Sequence, residues 1–211
     1  MNKLLTLAFV LLTSLVFAQA KDAKATALLD EVSQKTKSHK SIKADFSYTM
    51  ENKQAKINEV KTGSLLISGE KYRLIAAGQT VICNGKTIWT YLKESNEVQI
   101  NDVDANEDAL TPSRLLSSYG NYKSKIVKDK TQTDPNVESV ELIPNVIKNF
   151  TKVMLVVDKT RKQVKGFIMF DKNGNTFTYK VTNYQTDIPV TTADFAFDKA
   201  KFPGVEVIDM R

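Results

Sequence analysis

The chain has 211 residues, a net charge of +6, a hydrophobic fraction of 42%, one cysteine and one histidine. That length favours a single domain with enough interior to stand on packing alone, and the lone Cys83 excludes an intrachain disulfide or a thiolate cluster for zinc. The basic residues are scattered, without a dense stripe or interleaved aromatics, so no nucleic-acid interface is expected; a solvated surface is the first reading, and attraction to anionic headgroups or acidic partner loops the weaker one.

The N-terminus reads as a secretory signal peptide. Met1-Asn2-Lys3 carries a positive charge, Leu4 to Phe17 is uncharged and apolar, and Ala18-Gln19-Ala20 gives a small-x-small ending. Cleavage after Ala20 is expected, leaving a periplasmic domain over 21–211 with no cysteine at the new terminus. Residues 24 to 37 follow as a helix, with Ala25, Leu28, Leu29 and Val32 at helical spacing and Asp22 as the N-cap.

From Ile42 the period changes to two. Ile42, Ala44, Phe46, Tyr48 and Met50 alternate with polar residues, giving a strand with one apolar face. Glu51 to Asn58 reads as a turn, Val60 to Ser68 as a second strand carrying Leu65 and Ile67, and Lys71 to Ala76 as a third carrying Tyr72 and Leu74. Thr80 to Leu92 is a hairpin around Asn84-Gly85. A two-residue turn there would pair Val81 with Ile88 and Thr80 with Trp89, with apolar groups on both faces. Val98 and Ile100 suggest a further short strand.

Asp102, Asp104, Glu107 and Asp108 form an acidic run without the glycine turn a calcium loop needs, and a solvated loop is expected. Thr111 caps a short helix with Pro112 at its first position and Leu115 and Leu116 inside it, ending near Tyr119-Gly120. Strands then return over Lys125 to Lys128, Val137 to Ile143, Lys152 to Asp158, Val164 to Asp171 and Thr176 to Tyr184. An irregular tail with Phe195, Phe197 and Phe202 closes on a short strand near Val205 to Ile208. Ten or so short strands joined by tight turns, with two helices, imply an antiparallel meander in one domain.

Catalytic groups are scarce. His39 sits in a polar turn and reads as an exposed spacer, and neither a G-x-S-x-G elbow nor an H-E-x-x-H pair occurs. No enzyme, metal or cofactor is expected. What the strands offer is apolar surface: Phe46, Tyr48, Met50, Leu65, Ile67, Tyr72, Leu74, Val81, Trp89, Met154, Ile168 and Phe170. An antiparallel sheet curved around two helices either packs these solid or leaves a cavity, and periodicity does not distinguish the two.

The order of short motifs resembles the LolA-type lipoprotein carriers. The chain presents Ala44-Asp45-Phe46-Ser47-Tyr48, then Gly63-Ser64-Leu65-Leu66-Ile67, then Lys71-Tyr72-Arg73-Leu74, then Asn84-Gly85-Lys86-Thr87-Ile88-Trp89-Thr90-Tyr91, then Thr111 to Leu116, and finally Phe195-Ala196-Phe197 before Pro203-Gly204-Val205. The resemblance implies a mainly β fold, an unclosed antiparallel half-barrel of about ten to eleven strands, with two to three helices over its concave face. It also implies a monomeric carrier whose apolar cavity takes the acyl chains of lipoproteins, and whose partners are an inner-membrane ABC-type lipoprotein-releasing transporter and an outer-membrane acceptor. Lipid contacts are expected from the apolar strand residues above, with Leu115 and Leu116 in the lid. A lipid- or glycolipid-binding or lipoprotein-sensing module on the same scaffold is the alternative, and a solid-core interaction protein a third. Where the family places an Arg-Pro after the G-x-L strand, with the Arg holding the lid, this chain has Ser68-Gly69-Glu70.

Overall fold

A computed structural model describes residues 22–103, 111–129, 132–146 and 148–211. The segment read as a signal peptide and most of the acidic run, Asp104, Glu107 and Asp108, lie outside them. Helix α1 (Ala23–Ser38) precedes six strands, β1 (Ile42–Asn52), β2 (Ile57–Ser68), β3 (Lys71–Ala76), β4 (Gln79–Cys83), β5 (Thr87–Leu92) and β6 (Glu97–Asp102). Helix α2 (Pro112–Ser117) leads into β7 (Tyr122–Val127), β8 (Val137–Pro144), β9 (Phe150–Asp158), β10 (Gln163–Asp171) and β11 (Thr176–Thr186). Two single-turn helices, at Thr192–Phe195 and Lys199–Lys201, precede β12 (Glu206–Asp209).

All twelve strands form one sheet in the order β12-β6-β5-β4-β3-β2-β1-β11-β10-β9-β8-β7. It consists of two meanders, β1 to β6 and β7 to β11, sewn together by the long antiparallel β1–β11 ladder. β12 departs from the antiparallel rule, pairing parallel with β6. The end strands β12 and β7 do not pair, so this is the unclosed half-barrel expected, with both helices on one face.

The helix-covered inner face carries the main core. Ala25, Leu28, Leu29 and Val32 of α1 and Leu116 of α2 pack on Ile67, Tyr72, Cys83, Val140, Leu142, Val153, Leu155 and Val157. Asp22 fixes the start of α1 twice over. One carboxylate oxygen accepts from the amides of Lys24 (3.0 Å) and Ala25 (3.3 Å), and the other accepts from the amide of Ile126 on β7 (3.1 Å). These bonds hold the Asp22 carboxyl below its ordinary pKa, the Ile126 amide contributing most.

The outer face carries a second apolar cluster. The register Arg73–Ile82–Trp89–Ile100 and its neighbour Ile75–Thr80–Tyr91–Val98 run across β3 to β6 on that side. The C-terminal segment covers them. Val98 is 0% and Phe195 2% exposed, and the Phe202 ring sits 4.4 Å from Tyr91 and 4.9 Å from Phe197. Arg73 fastens the segment, its Nε donating to the Asp194 carbonyl at 2.8 Å and its Nη2 lying 3.4 Å from the Asp194 carboxylate. Thr191 completes the anchor, its amide donating to Asp194 Oδ2 at 2.7 Å.

Two local expectations are corrected. The β4–β5 hairpin pairs Cys83 with Ile88, Ile82 with Trp89 and Val81 with Thr90, two residues out of the expected register. Gly85 alone takes a positive φ (92°), while the Asn84 side chain accepts from the amides of Lys86 (2.9 Å) and Thr87 (2.8 Å). An Asx-closed loop therefore replaces the two-residue turn, which needs positive φ at both central positions. His39 is also no exposed spacer. Its side chain is 14% exposed and its Nδ1 lies 2.9 Å from Asp187 Oδ2, while the Lys40 amide donates to Asp187 Oδ1 at 2.8 Å. This node ties the end of α1 to the end of β11.

Candidate functional site

Between α2 and the inner face lies a cavity of about 260 Å³. Its floor is built by β1, β2 and β3 (Ala44, Phe46, Leu65, Leu74) and by β10 and β11 (Val164, Gly166, Phe167, Met169, Tyr179, Val181, Tyr184), and its roof by Thr111, Pro112, Leu115 and Leu116. Strand alternation supplies the floor. Leu65 pairs with Leu74 across β2–β3, and Phe46 with Gly63 across β1–β2, so these side chains share one face. The aromatic rings interlock: Phe167 stacks on Tyr179 at 4.4 Å, and Tyr179 reaches Tyr48 at 4.9 Å and Phe46 at 5.8 Å. Burial among these apolar groups pushes the hydroxyls of Tyr179 and Tyr184 up to about 12, so both stay neutral donors.

Glycines allow the close approaches. A Cβ on Gly166 would stand 2.2 Å from the Tyr179 carbonyl oxygen, and one on Gly63 would stand 2.4 Å from Phe46 Cζ. Only hydrogen fits at either place.

The roof is held by hydroxyl-to-carbonyl bonds. Ser113 Oγ, on α2, donates to the Gly69 carbonyl of the β2–β3 turn at 3.1 Å, and Ser33 Oγ, on α1, donates to the Ser117 carbonyl at 2.6 Å. Thr111 caps α2, accepting from the Arg114 amide at 3.2 Å. Arg73 takes no part, because its side chain leaves β3 on the outer face and is spent on Asp194. Each of these neutral bonds contributes about 1 kcal/mol.

The expected lipid contacts divide into three groups. Phe46, Leu65, Leu74, Leu115 and Leu116 line the cavity together. Ile67 and Tyr72 lie in the main core beside it, Val81 packs against that core, and Tyr48 and Met50 continue the inner face along β1 toward the β1–β2 turn. Trp89, Met154, Ile168 and Phe170 lie on the outer face. For Ile168 and Phe170 on β10 the cause is a bulge. Val164 pairs with Val157 but Gly166 pairs with Val156, so Lys165 is the extra residue and the parity reverses after it. Phe167 and Met169 thereby face inward, with Val153 and Leu155 beside them. These positions, with Val181 and Tyr184 on β11, were not among the expected contacts, and only the Gly166 interruption hinted at the bulge.

No group of three or more His, Cys, Asp or Glu placed to hold a metal ion occurs among the described residues. Among the described residues the cavity lining holds no charged side chain, and its predominantly apolar surface suits hydrocarbon.

Comparison with known proteins agrees with this geometry. The chain is 29% identical to the outer-membrane lipoprotein carrier protein of Glaesserella parasuis, covering 100% of this chain and 96% of that one. It is 27% identical to that of Haemophilus ducreyi, covering 99% and 94%. An uncharacterized conserved protein from Thermus thermophilus, 13% identical, shares the fold with a TM-score of 0.54, over 88% of this chain and 99% of that one. Residues 37–198, the greater part of the chain, match the family described as outer membrane lipoprotein carrier protein LolA, and the chain belongs to that family of binding proteins, not to an enzyme family.

Proposed function

We propose that this protein is a periplasmic carrier that shields the acyl chains of lipoproteins in the α2-roofed cavity and ferries them from the inner to the outer membrane. It would receive them from an ABC-type transporter and surrender them to an outer-membrane acceptor. The observation that carries this reading is a predominantly apolar hollow, floored by Phe46, Leu65, Leu74 and Phe167, beneath a short helix fastened by hydroxyls.

The energetics set what the hollow must do. Each methylene exposed to water costs ~0.8 kcal/mol, so three chains of about fifteen methylenes cost on the order of 36 kcal/mol to strip from a membrane unaided. At ~30 Å³ per methylene-sized group, the cavity of about 260 Å³ holds only a fraction of that cargo. Cargo entry therefore displaces the α2 roof, and the apolar surface uncovered beneath it supplies the remaining contact. Serine hydroxyls suit this role, because the bonds broken on opening are regained from water.

The test is extraction. Purified protein incubated with membrane vesicles bearing a triacylated protein should bring that protein into a soluble one-to-one complex. Cargo that stays in the vesicle pellet would refute the reading, and copurification of free lipid alone would favour a lipid-binding module instead.

A further inference from the structure

β2 is twelve residues long, yet β3 pairs with it only from Gly63 to Ser68. After Ala76 the chain turns away through Ala77 (φ 50°) and Gly78 (φ 80°) into β4. Residues Ile57 to Thr62 pair with β1 on one side, and no strand pairs with them on the other among the described residues. This free edge is ~20 Å long at ~3.3 Å per residue. All six residues are exposed, Val60 reaching 68%. The β1–β2 ladder runs through them without a bulge or a proline, and the two charges on the edge, Glu59 and Lys61, are paired to each other.

The edge begins where the cavity ends. Gly63, the first paired residue, lies against the Phe46 ring, and Phe46 and Leu65 both line the cavity. On the inner side of the same stretch, Tyr48 faces Lys61 and Met50 faces Glu59, with Lys61 and Glu59 paired to each other at 2.9 Å. Hydrocarbon in the cavity and an extended chain on the β2 edge would thus be continuous.

We infer that the free edge of β2 from Ile57 to Thr62 takes, as an added strand, the first extended residues of an acylated protein's polypeptide while its acyl chains fill the cavity. This rests on the carrier reading above. The polypeptide of such a cargo leaves the cavity at its acylated residue, and a carrier serving many cargoes cannot depend on their side chains. Strand addition meets that demand, because main-chain hydrogen bonds supply the contact whatever the sequence.

The experiment compares two ligands on the full mature protein: a triacylated cysteine alone, and the same triacylated cysteine carrying a hexapeptide. Displacement of a bound apolar fluorophore reports cavity occupancy, and amide hydrogen exchange reports the edge. Both ligands should displace the fluorophore, and only the peptide-bearing one should slow exchange within 57–62, by at least ~10-fold. A photo-reactive residue at Val60 should crosslink to the hexapeptide. Equal exchange at 57–62 with both ligands, each displacing the fluorophore, would overturn the strand-addition inference and leave the carrier reading standing. Protection that grows with protein concentration without ligand would overturn it in favour of a second copy of this chain. Failure of both ligands to displace the fluorophore would overturn the carrier reading and this inference together.

Discussion

The two faces of the sheet make a controlled comparison. Each carries large apolar side chains, the outer face on β3 to β6 and the inner face on β2 to β5, and each is covered by a piece of chain arriving from elsewhere. On the outer face the cover is aromatic and charge-fastened: Phe195, Phe197 and Phe202 fill the space over Tyr91 and Val98, and Arg73 clamps Asp194. On the inner face near Leu65 and Leu74, the cover is a six-residue helix held by Ser113 and Ser33 hydroxyls, and a hollow remains beneath it. The same sheet is sealed on one side and left fillable on the other. The difference lies in the covers, since hydrophobicity is shared by both faces.

The largest expected separation between the faces comes from Phe195→Ala. Truncating a Phe that is 2% exposed should cost about 3–5 kcal/mol of stability, read as a fall in the denaturant midpoint. Surviving folded protein should still bind an apolar fluorophore, and loss of binding in step with no loss of stability would break the division. Leu74→Glu is the reverse case. The side chain lines the cavity and is only half-buried, so the fold should persist while fluorophore affinity falls at least ~10-fold, because a carboxylate in the hollow must be solvated. Unchanged affinity would mean that the fluorophore sits elsewhere.

A smaller effect is expected from Ser113→Ala. Loss of the bond to Gly69 should cost about 1 kcal/mol of roof closure and speed fluorophore entry up to several-fold in stopped-flow mixing. Arg73→Ala should leave that rate alone.

The smallest and broadest effect is acid sensitivity. Asp187 is held below its ordinary pKa first by the hydrogen bond from His39, and Asp194 first by the Thr191 amide. A depressed folded-state pKa stabilises above the unfolded carboxylate value, near 4, and that contribution disappears as pH falls through the folded value. Thermal midpoints should therefore drop below about pH 4, and Asp187→Asn should flatten part of that drop. An identical slope in the variant would exclude the His39–Asp187 node as a contributor.

How far the sequence could be read depended on the contrast between faces. In β1, apolar Ala44, Phe46 and Tyr48 alternate with Lys43, Asp45 and Ser47, so face and floor were legible at once. In β9, Val153, Met154, Leu155, Val156 and Val157 are apolar without a break, and alternation carries no information about side. In β10 the signal misleads, since Val164, Gly166, Ile168 and Phe170 keep a clean period that the bulge at Lys165 overrides. Trp89 sits on a strand apolar on both sides, so alternation leaves its face undecided and only the pairing with Ile82 places it. His39 shows the same limit, its partner Asp187 being 148 residues away along the chain.

The seam between β7 and β12 leaves the sheet unclosed around the hollow. Neither edge strand is laddered to the other, so the sheet resembles a split ring rather than a hoop. A hoop widens only by shearing its register; a split ring spreads by bending, with every strand keeping its neighbours. Under the proposed carrier role, widening to admit bulky tails would then require no main-chain pairing to be given up.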